Sequence, residues 1–324
     1  WARWWKKGPR GVQLYYYLWQ LALLSHARRL HRQIGFDLAW HLTFGKYWSP
    51  SRLPALGVPF VWGPVGGAED APLSFWPGFG IRGCVLDGGR CAARSVAEFD
   101  PLLACTARGC RLGLTKTEES ALRLKALGVE EVRVWGEVAF SGEELERLGE
   151  LPLPHGKPIR FLTLARLVHW KGVHLALAAF AEAALPEAEY WIVGDGAERA
   201  RLETLARKLG VAERVRFWGQ KPRPAALELL GQSHVLVHLS LHDSGGWVCP
   251  EAMAARRPVI CLALGGPGTQ VDQRSGIALP AHNPQQVIRD AAQAMRRFAE
   301  DDLLLRNTGE SARNVVLSEY LLER

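Results

Sequence analysis

Two carboxylates flank a flexible turn and the start of a predicted helix in the stretch LHDSGGWVCPEAMAARRPVI, residues 241–260. Asp243 precedes the Gly-Gly pair, Glu251 follows it inside the helical pattern, and a proline and a strand pattern come next. The first turn of a helix has backbone N–H groups without internal partners, and these groups bind anions such as phosphate. Carboxylates accept hydrogen bonds from paired sugar hydroxyls. The stretch therefore indicates a site that binds a phosphate group and a carbohydrate together.

Strand and helix patterns alternate regularly after residue 157. Short apolar runs predict strands, and each run is followed by a segment with helical periodicity. The strands are predicted at 159–165, 190–193, 215–218, 234–239 and 258–264, and the helices at 173–184, 198–209, 224–231, 248–255 and 285–299. A Gly-Gly loop is expected at 265–266, after the last strand. Such βαβ units predict a parallel sheet and a Rossmann-like domain.

The candidate ligand-binding residues follow these strands, and ligands of open parallel sheets bind beyond the carboxyl ends of the strands. Two cations at that edge, Arg166 and Lys171, suit a diphosphate. Glu251 lies about one turn into its helix, so its side chain leans back toward the helix N-terminus. Each residue alone is typical of an ordinary turn, cap or exposed helix, but together they indicate a nucleotide-sugar site. Further candidates in the same loops are Gly194, Gly196, Gln220, Lys221, Asp243, Ser244, Gly245 and Gly246.

The first half of the chain predicts a second α/β domain. Strand patterns are predicted at 36–44, 58–67, 111–115 and 132–135, and helices at 14–33, at 90–110 with a break near Pro101, and at 117–128. Three prolines and two glycines at 148–160 indicate an interdomain linker. We expect an N-terminal domain at 1–150, a nucleotide-sugar-binding domain at 157–310, and a C-terminal helix at 311–324 that packs back on the N-terminal domain.

Composition indicates a globular protein of one or two domains. The 324 residues are 48% hydrophobic and 23% charged, with a formal net charge of +7, which excludes the disordered and fibrous classes. The modest excess of cations suits anionic substrates or an anionic membrane surface. Because there is no dense basic run or nucleic-acid motif, no nucleic-acid partner is expected. The six cysteines match neither CxxC nor zinc spacing, which favours reduced thiols in a cytoplasmic protein.

The first twenty residues, WARWWKKGPRGVQLYYYLWQ, are dense in aromatic and cationic side chains. This mixture is typical of segments that lie at a membrane interface, although it also fits a surface loop that leads into a buried helix. The longest apolar run, 14–24, is too short to span a bilayer. We therefore expect a cytoplasmic protein, with peripheral contact at the inner membrane face and a lipid-linked substrate as the membrane alternative.

Three C-terminal stretches, ARLVHWKG, WIVGDGAERARLETLARKLGVAERVRFWG and SLHDSGGWVCPEAMAARRPVI, resemble the donor-binding half of family-4 retaining glycosyltransferases. The N-terminal stretches FDLAWHLTFGKYWSP and FVWGPVGGAEDAP also resemble that family, so the resemblance covers most of the chain. It implies an α/β protein with the GT-B fold, in which two Rossmann-like parallel-sheet domains face a cleft. It also implies that the C-terminal domain binds the donor and the N-terminal domain binds the acceptor.

The resemblance also implies roles for individual residues. Arg166 and Lys171 correspond to the family's phosphate clamp, and Glu251 corresponds to the second acid of its paired-acid motif, which holds the nucleotide ribose. Asp243 corresponds to the first acid, which contacts the donor sugar. The family usually has Glu at that position, and Asp is one methylene shorter. The family's Gly-Phe-Gly turn is Ser244-Gly245-Gly246 in this chain.

His41 corresponds to a histidine at the end of an N-domain strand, near the reacting sugar, although an ordinary loop histidine is the alternative. We expect His41, Asp243, Arg166 and Lys171 to act in catalysis. The family implies retention of configuration, with the leaving phosphate taking the acceptor proton. No Asp-x-Asp metal motif stands at a strand end, which predicts metal-independent chemistry without a further cofactor. Arginine, lysine and the helix dipole would then replace the cation at the leaving group.

The N-terminal half departs from the family's pattern. Only four convincing strands precede the linker, and no first unit of strand, glycine-rich loop and helix precedes the aromatic segment. We expect a shortened domain with an exposed apolar surface or an unpaired strand edge. A second copy, a separate chain or a membrane is expected to cover it.

The sequence thus predicts a glycosyltransferase that uses a nucleoside-diphosphate-sugar, with UDP and GDP donors equally open and the acceptor unknown. The alternatives are a nucleotide-sugar-binding protein with weak or no transfer activity, and one half of a two-chain enzyme. A nicotinamide-dependent oxidoreductase is disfavoured because GDGAER lacks the third glycine of G-x-G-x-x-G. A GT-B epimerase or phosphorylase stays open, since either would use a similar clamp.

Overall fold

The computed structural model describes residues 11–322, which divide into two units. The first unit contains the chain up to Glu69 and then Val85–Glu137, and the second contains Asp70–Cys84 and the chain from Val138 onward. The predicted domain boundaries at 150 and 157 differ from this division. The second unit includes a segment from the first half of the chain, and it begins before the proline-rich stretch.

Burial of apolar side chains explains both differences. Phe75 and Phe79 lie in the short helical segment Leu73–Phe79, and they are buried in a core of the second unit. Leu145 and Leu148, in the helix Gly142–Gly149, are buried in another core of the same unit. Both segments therefore belong to the second unit because their apolar side chains are buried in its cores.

The first unit has a four-stranded parallel sheet in the order β1-β2-β3-β4. Its strands are β1 Ala39–His41, β2 Phe60–Val65, β3 Leu112–Thr115 and β4 Val132–Val134, and the helices in this part of the chain are α1 Val12–Ile34, α2 Gly80–Ala97, α3 Pro101–Arg108 and α4 Glu118–Ala126. Every strand that the sequence predicts in this half is present, with shorter bounds. The helix predicted at 90–110 is two helices, because Asp100 caps α3 and Pro101 is its first residue.

The second unit has a six-stranded parallel sheet in the order β10-β9-β8-β5-β6-β7. Its strands are β5 Ile159–Leu164, β6 Ala188–Val193, β7 Val215–Gly219, β8 Val235–His238, β9 Val259–Leu262 and β10 Gly276–Leu279, and its helices are α5 Gly142–Gly149, α6 Val173–Ala183, α7 Arg199–Lys208, α8 Arg223–Gly231, α9 Val248–Ala254, α10 Gly265–Gln270, α11 Pro284–Glu300 and α12 Asp302–Glu319. All residues of β8 and β9 are buried, which explains why they read as continuous apolar runs.

Three elements of this unit were not predicted, namely α5, α10 and β10. The Gly-Gly pair expected to form a loop at 265–266 is the first turn of α10, and β10 forms the edge next to β9. Glycine has a low intrinsic helix propensity, so only tertiary contacts account for a helix that begins there. An added Cβ at Gly266 would lie 2.6 Å from the carbonyl oxygen of Ser244, so close backbone packing requires the glycine.

Helix α12 begins earlier than the predicted residue 311, because Asp301 caps it by accepting a hydrogen bond from the Leu304 amide (2.8 Å). Its buried residues Ala312, Val315 and Val316 belong to a core of the second unit, together with residues of α9. This apolar stripe at helical spacing is buried within the second unit rather than the first.

Part of the aromatic N-terminal stretch, up to Arg10, lies outside the described residues, so its expected interfacial position stays a prediction. The remainder starts α1, in which Tyr16 is buried and Leu14 is exposed. No helix within residues 11–322 is long and apolar enough to cross a membrane. In the same part of the chain, β1 pairs only with β2, so its other edge is open and Trp40 on it is 47% exposed.

Arg257 is the largest charged side chain buried in the second unit, at 1% exposure. Its guanidinium donates hydrogen bonds to the carbonyl oxygens of Pro152, Gly231, Ser233 and Ala255. Gly231 ends α8 and Ala255 follows α9, and the carbonyl groups at helix C-termini carry partial negative charge. Burial and the nearby charge of Arg256 lower the pKa of Arg257 to about 10, so the side chain stays charged at neutral pH.

We predict that Arg257→Met lowers the free energy of unfolding by roughly 3 kcal/mol, because several buried carbonyl groups would lose their donor. Chemical denaturation measures the effect. Arg306→Met is the matched control, since Arg306 is 57% exposed and its ion pair with Asp302 lies at the surface; it should cost less than about 1 kcal/mol. Equal effects of the two substitutions would contradict the structural role of Arg257.

Candidate functional site

The candidate donor-binding residues lie along the carboxyl edge of the second unit's sheet. Arg166 and Lys171 follow β5, Lys221 follows β7, Asp243 follows β8, and Glu251 lies in α9. The glycines at 194 and 196 follow β6. Because the six strands are parallel, their carboxyl ends share one edge, as the sequence predicts.

Lys171 and Asp243 form the central ion pair of this edge. The Lys171 ammonium contacts Asp243 Oδ2, and the two side chains are only 15% and 18% exposed. The pair exists because the loop before α6 packs tightly on the loop after β8. Leu241 donates its amide proton to Trp170 O (2.8 Å), and a Cβ at Gly172 would lie 1.8 Å from Leu239 O.

His238, the last residue of β8, is the second partner of Asp243. Its Nε2 lies 3.0 Å from Asp243 Oδ2, and the histidine is 3% exposed. Burial lowers the pKa of His238, and the opposing hydrogen bond with Asp243 does not restore it. Burial raises the pKa of Asp243, but His238 and Lys171 outweigh this effect and hold it well below its ordinary value. At neutral pH a neutral His238 therefore donates Nε2–H to an ionised Asp243.

The other carboxylate oxygen of Asp243 also has a protein partner, since Oδ1 accepts the Gly246 amide proton at 3.3 Å. The sequence assigns Asp243 to the donor sugar, and that contact stays a prediction. In the structure the carboxylate holds three groups of its own edge: the ammonium of Lys171, the ring of His238 and the turn at Gly246. Both carboxylate oxygens of Asp243 thus contact protein groups.

The turn Ser244–Gly246 is fixed against α10. Gly246 has φ +58°, and a Cβ there would lie 2.7 Å from Gln270 Oε1. Gln270 donates from Nε2 to Gly245 O (2.6 Å). After the turn, the amides of Trp247 and Val248 donate to no group among residues 11–322. Two N–H groups at the start of α9 are therefore available to an anion, as the sequence predicts for this stretch.

Glu251 is held by an arginine that the sequence reading missed. Arg223, at the start of α8, donates from Nε (3.2 Å) and Nη2 (2.8 Å) to Glu251 Oε1, and also binds Glu144 (2.7 Å). No described residue hydrogen-bonds to Glu251 Oε2. One oxygen of this carboxylate is thus fixed, and the other can accept a ligand hydroxyl.

Arg166 and Lys221 are exposed cations that pair with no carboxylate among the described residues. The Arg166 guanidinium lies 5.9 Å from the ring centroid of Trp170, and the Lys221 ammonium lies 6.0 Å from that of Trp218. Trp170 in turn stacks on His242, with centroids 5.1 Å apart and planes at 18°. Aromatic faces support both cations and leave their N–H donors available.

Gly194 and Gly196 have a structural role that the sequence does not reveal. A Cβ at Gly194 would lie 1.8 Å from Ala165 O, and one at Gly196 would lie 2.3 Å from Leu167 O. The loop after β6 is hydrogen-bonded to the loop after β5, because the Leu167 amide donates to Asp195 O (2.9 Å). The glycines permit this approach, which fixes the backbone next to Arg166.

His41 lies in the first unit, at the end of β1 and 5% exposed. Its Nε2 donates to Thr43 O (2.7 Å) and lies 3.1 Å from the hydroxyl of Tyr16. Burial lowers the pKa of His41, although the hydrogen bond to Thr43 opposes the shift. This imidazole is thus neutral and engaged inside its own unit, and its expected role near the reacting sugar stays a prediction.

The partners of the predicted residues were hidden for identifiable reasons. His238 stands in an apolar strand and reads as a core residue. Arg223 and Gln270 act on residues distant in sequence. For Trp170 a signal was present in the sequence, because an aromatic residue between two predicted cations can support either of them.

Comparison with known proteins identifies the class to which this fold and site belong. Residues 150–315 match the family described as "Glycosyl transferases group 1", and the chain belongs to that family. The lipopolysaccharide core biosynthesis glycosyltransferase LpsE of Rhizobium meliloti is 29% identical over 177 residues, covering 54% of this chain and 49% of LpsE. The 2-deoxystreptamine glucosyltransferase of Streptomyces kanamyceticus is 32% identical over 163 residues, covering 49% of this chain and 41% of that protein. The chain thus spans about half or less of the length of these relatives.

Solved structures show the same fold. Sucrose-phosphate synthase from Thermosynechococcus elongatus matches with a TM-score of 0.65 at 20% identity, covering 95% of this chain and 75% of that one. Anabaena HepE in complex with UDP-glucose matches with a TM-score of 0.59 at 16% identity, covering 92% and 78%. The predicted GT-B fold is confirmed, with a four-stranded sheet in the first unit that is consistent with a shortened domain.

We predict that Gly194→Ala destabilises the second unit by about 3 kcal/mol or more, since a methyl group cannot occupy a position 1.8 Å from Ala165 O without backbone movement. Gly210→Ala is the control, because Gly210 also has positive φ (+70°) but faces open space; it should cost about 1–2 kcal/mol. Thermal unfolding compares the two. Equal losses would show that φ alone, and not the carbonyl contact, constrains Gly194.

Proposed function

We propose that this chain is a glycosyltransferase that moves a sugar from a nucleoside-diphosphate-sugar to an acceptor, with retention of configuration and without a metal ion. One observation carries the proposal. Four kinds of group stand along one sheet edge. They are Arg166, which pairs with no carboxylate among the described residues, the Lys171 ammonium, two free amides at the start of α9, and the Glu251 carboxylate, of which one oxygen is held by Arg223. Donors for a diphosphate and an acceptor for hydroxyl groups therefore stand on one edge.

A diphosphate is the group that suits the hydrogen-bond donors of this edge. Lys171 and Arg166 offer charge-assisted hydrogen bonds to phosphate oxygens, and the amides of Trp247 and Val248 add neutral donors. As the bond from the sugar to the phosphate breaks, negative charge grows on the leaving group, and these fixed donors stabilise it without moving. This is the task that a metal ion performs in other enzymes, and we assign it here to the side chains and amides.

The nucleoside is assigned to the carboxylate of Glu251. Arg223 fixes Oε1, so Oε2 keeps one orientation and accepts a hydroxyl hydrogen bond from the ribose. For the transfer step we adopt same-face attack, in which the leaving phosphate accepts the proton of the acceptor hydroxyl. Asp243 and His238 are committed to one another and to Lys171, so neither is assigned as the base.

The comparisons support a uridine nucleotide as the donor, because HepE was solved with UDP-glucose and a pneumococcal O-GlcNAc transferase with UDP and GlcNAc. We therefore propose UDP-sugars ahead of GDP-sugars. The acceptor stays open. Peripheral membrane contact rests on the aromatic and cationic N-terminal stretch alone.

A second candidate function is a nucleotide-sugar binder or one half of a two-chain enzyme. It is favoured by the open edge of β1 within the described residues. Incubation with a panel of UDP- and GDP-sugars separates the two functions. Tight nucleotide binding without hydrolysis or transfer favours the binder, whereas release of free nucleotide favours the enzyme.

We predict that Lys171→Ala and Glu251→Ala each weaken UDP binding about 10- to 100-fold, because each removes a charge-assisted hydrogen bond. Isothermal titration calorimetry measures the dissociation constants, and the rise in melting temperature with UDP should disappear in parallel. Lys208→Ala and Glu228→Ala, at exposed positions of α7 and α8, are the controls. Unchanged UDP affinity in both site variants would remove the assignment of the donor site.

Asp243→Asn tests the role of the central carboxylate. Because Asp243 competes with phosphate for Lys171, we expect the variant to bind UDP at least as tightly as the wild type. We also expect slower release of sugar from a UDP-sugar, since Lys171 would lose the partner that aligns it. A kcat that falls while KM stays level or falls supports this role. A rise in KM with unchanged kcat would instead indicate a contact between Asp243 and the donor.

A further inference from the structure

Two loops meet at the carboxyl edge of the first unit's sheet. The loop after β1 is hydrogen-bonded to the loop after β2, because the Gly66 amide donates to Gly45 O (2.7 Å). Gly67 follows with φ +95°, and a Cβ there would lie 3.4 Å from Trp48 Nε1 and 3.9 Å from Lys46 Cγ. Lys46 and Trp48 therefore lie beside Gly67, at the edge of a parallel sheet where ligands bind.

The turn at Gly67 is held by Glu69, a buried carboxylate of the same unit. Its Oε2 accepts the Gly67 amide proton (2.9 Å), and its Oε1 accepts the hydroxyl protons of Thr117 (2.6 Å) and Ser120 (3.0 Å). Both oxygens are thus engaged by neutral donors. The nearest acid of this turn therefore fixes the backbone and forms no ion pair with Lys46.

Lys46 is a partly buried cation that pairs with no carboxylate among the described residues. Its ammonium lies over the ring of Trp48, 4.7 Å from the centroid. Burial lowers the pKa of Lys46, and the positive charge of Arg90 lowers it further. Arg90 is itself paired with Asp87 (3.3 Å) and donates to Glu69 O (3.2 Å). A partly buried ammonium beside a second cation is unfavourable, and a bound anion would relieve it.

Two donor atoms at this edge have no acceptor. Lys46 Nζ and Trp48 Nε1 form no hydrogen bond with the described part of the chain, and both atoms keep access to solvent. The ammonium lies over the face of the indole, whereas the indole N–H points outward in the ring plane. Acceptors for the two donors therefore lie in different directions. The oxygens of a tetrahedral phosphate diverge in this way, whereas a planar carboxylate suits two parallel donors.

We propose that Lys46 and Trp48 bind a phosphate group, with the ammonium donating to one oxygen and the indole N–H donating to another. Both residues belong to the first unit, whereas the residues assigned to the nucleotide belong to the second. The identity of the ligand rests on the proposed function. A transferase has two substrates, and the donor is assigned to the second unit, so the phosphate belongs to the acceptor. The acceptor class is therefore a phosphorylated compound.

Binding is measured on the full chain by nitrogen-15 NMR of the indole N–H groups, and Trp48→Phe identifies the Trp48 signal by its loss. The probes are glycerol 3-phosphate, inorganic phosphate, acetate and glycerol. We expect a saturable shift of the Trp48 signal with both phosphates and none with glycerol. Tighter binding of glycerol 3-phosphate than of inorganic phosphate supports a phosphorylated acceptor, and the reverse order contradicts it. Acetate that binds as tightly as phosphate would overturn the assignment of a phosphate site.

Two lysine variants make the test specific. Lys46→Met keeps the aliphatic chain beside Trp48 and removes the charge, so phosphate binding should weaken about tenfold. Lys125→Met, at an exposed position of α4 in the same unit, is the matched control and should bind phosphate like the wild type. The wild-type titration stays decisive if Lys46→Met fails to fold.

Titration with UDP on the same proteins separates this site from the donor site. Lys46→Met should keep the UDP affinity of the wild type. A chain that binds UDP but shows no shift of the Trp48 signal with millimolar phosphate overturns this inference and leaves the proposed function standing. A phosphate-dependent shift of Trp48 in a chain that binds no UDP supports the phosphate site and contradicts the proposed function.

Discussion

The ion pair between Lys171 and the ionised carboxylate of Asp243 is the interaction on which the candidate site depends. A lysine in a mostly buried position loses hydration, and a neighbouring opposite charge offsets this loss. Asp243 supplies that charge to Lys171, and it also accepts hydrogen bonds from His238 and the Gly246 amide. Removing one member of such a buried set leaves the others uncompensated, which is costly. The position of the Lys171 ammonium is therefore fixed by protein groups of this network.

The backbone around this network is arranged to bring its members together. Lys171 comes from the loop after β5, and Asp243 comes from the loop after β8, which is a sheet neighbour of β5. The two loops meet only because Gly172 lets the backbone touch Leu239 O, just as Gly194 lets the loop after β6 touch Ala165 O. Glycines at strand ends thus serve contacts between loops. They affect a ligand indirectly, because the loop contacts that they permit determine where the neighbouring charged residues lie.

Much of this architecture could be predicted from the sequence. Parallel strands buried on both faces read as apolar runs, and the residues after them must share an edge, so Arg166, Lys171 and Asp243 were located without coordinates. What was missed depends on contacts between distant residues. Gly265 starts a helix against its own propensity, His238 reads as a core residue of β8, and Arg223 reaches Glu251 from another helix. Local pattern carries no information about such partners.

The pairing of Lys171 with Asp243 also bears on how a diphosphate would enter. A phosphate that binds Lys171 has to share it with the carboxylate, and this competition lowers affinity. The loss is limited, because Asp243 keeps the His238 N–H and the Gly246 amide when the ammonium turns toward the ligand. Asp243 therefore gives Lys171 an anionic partner of the kind that a diphosphate would provide. It holds the Lys171 ammonium in place, so that little ordering of the side chain remains to be done on binding.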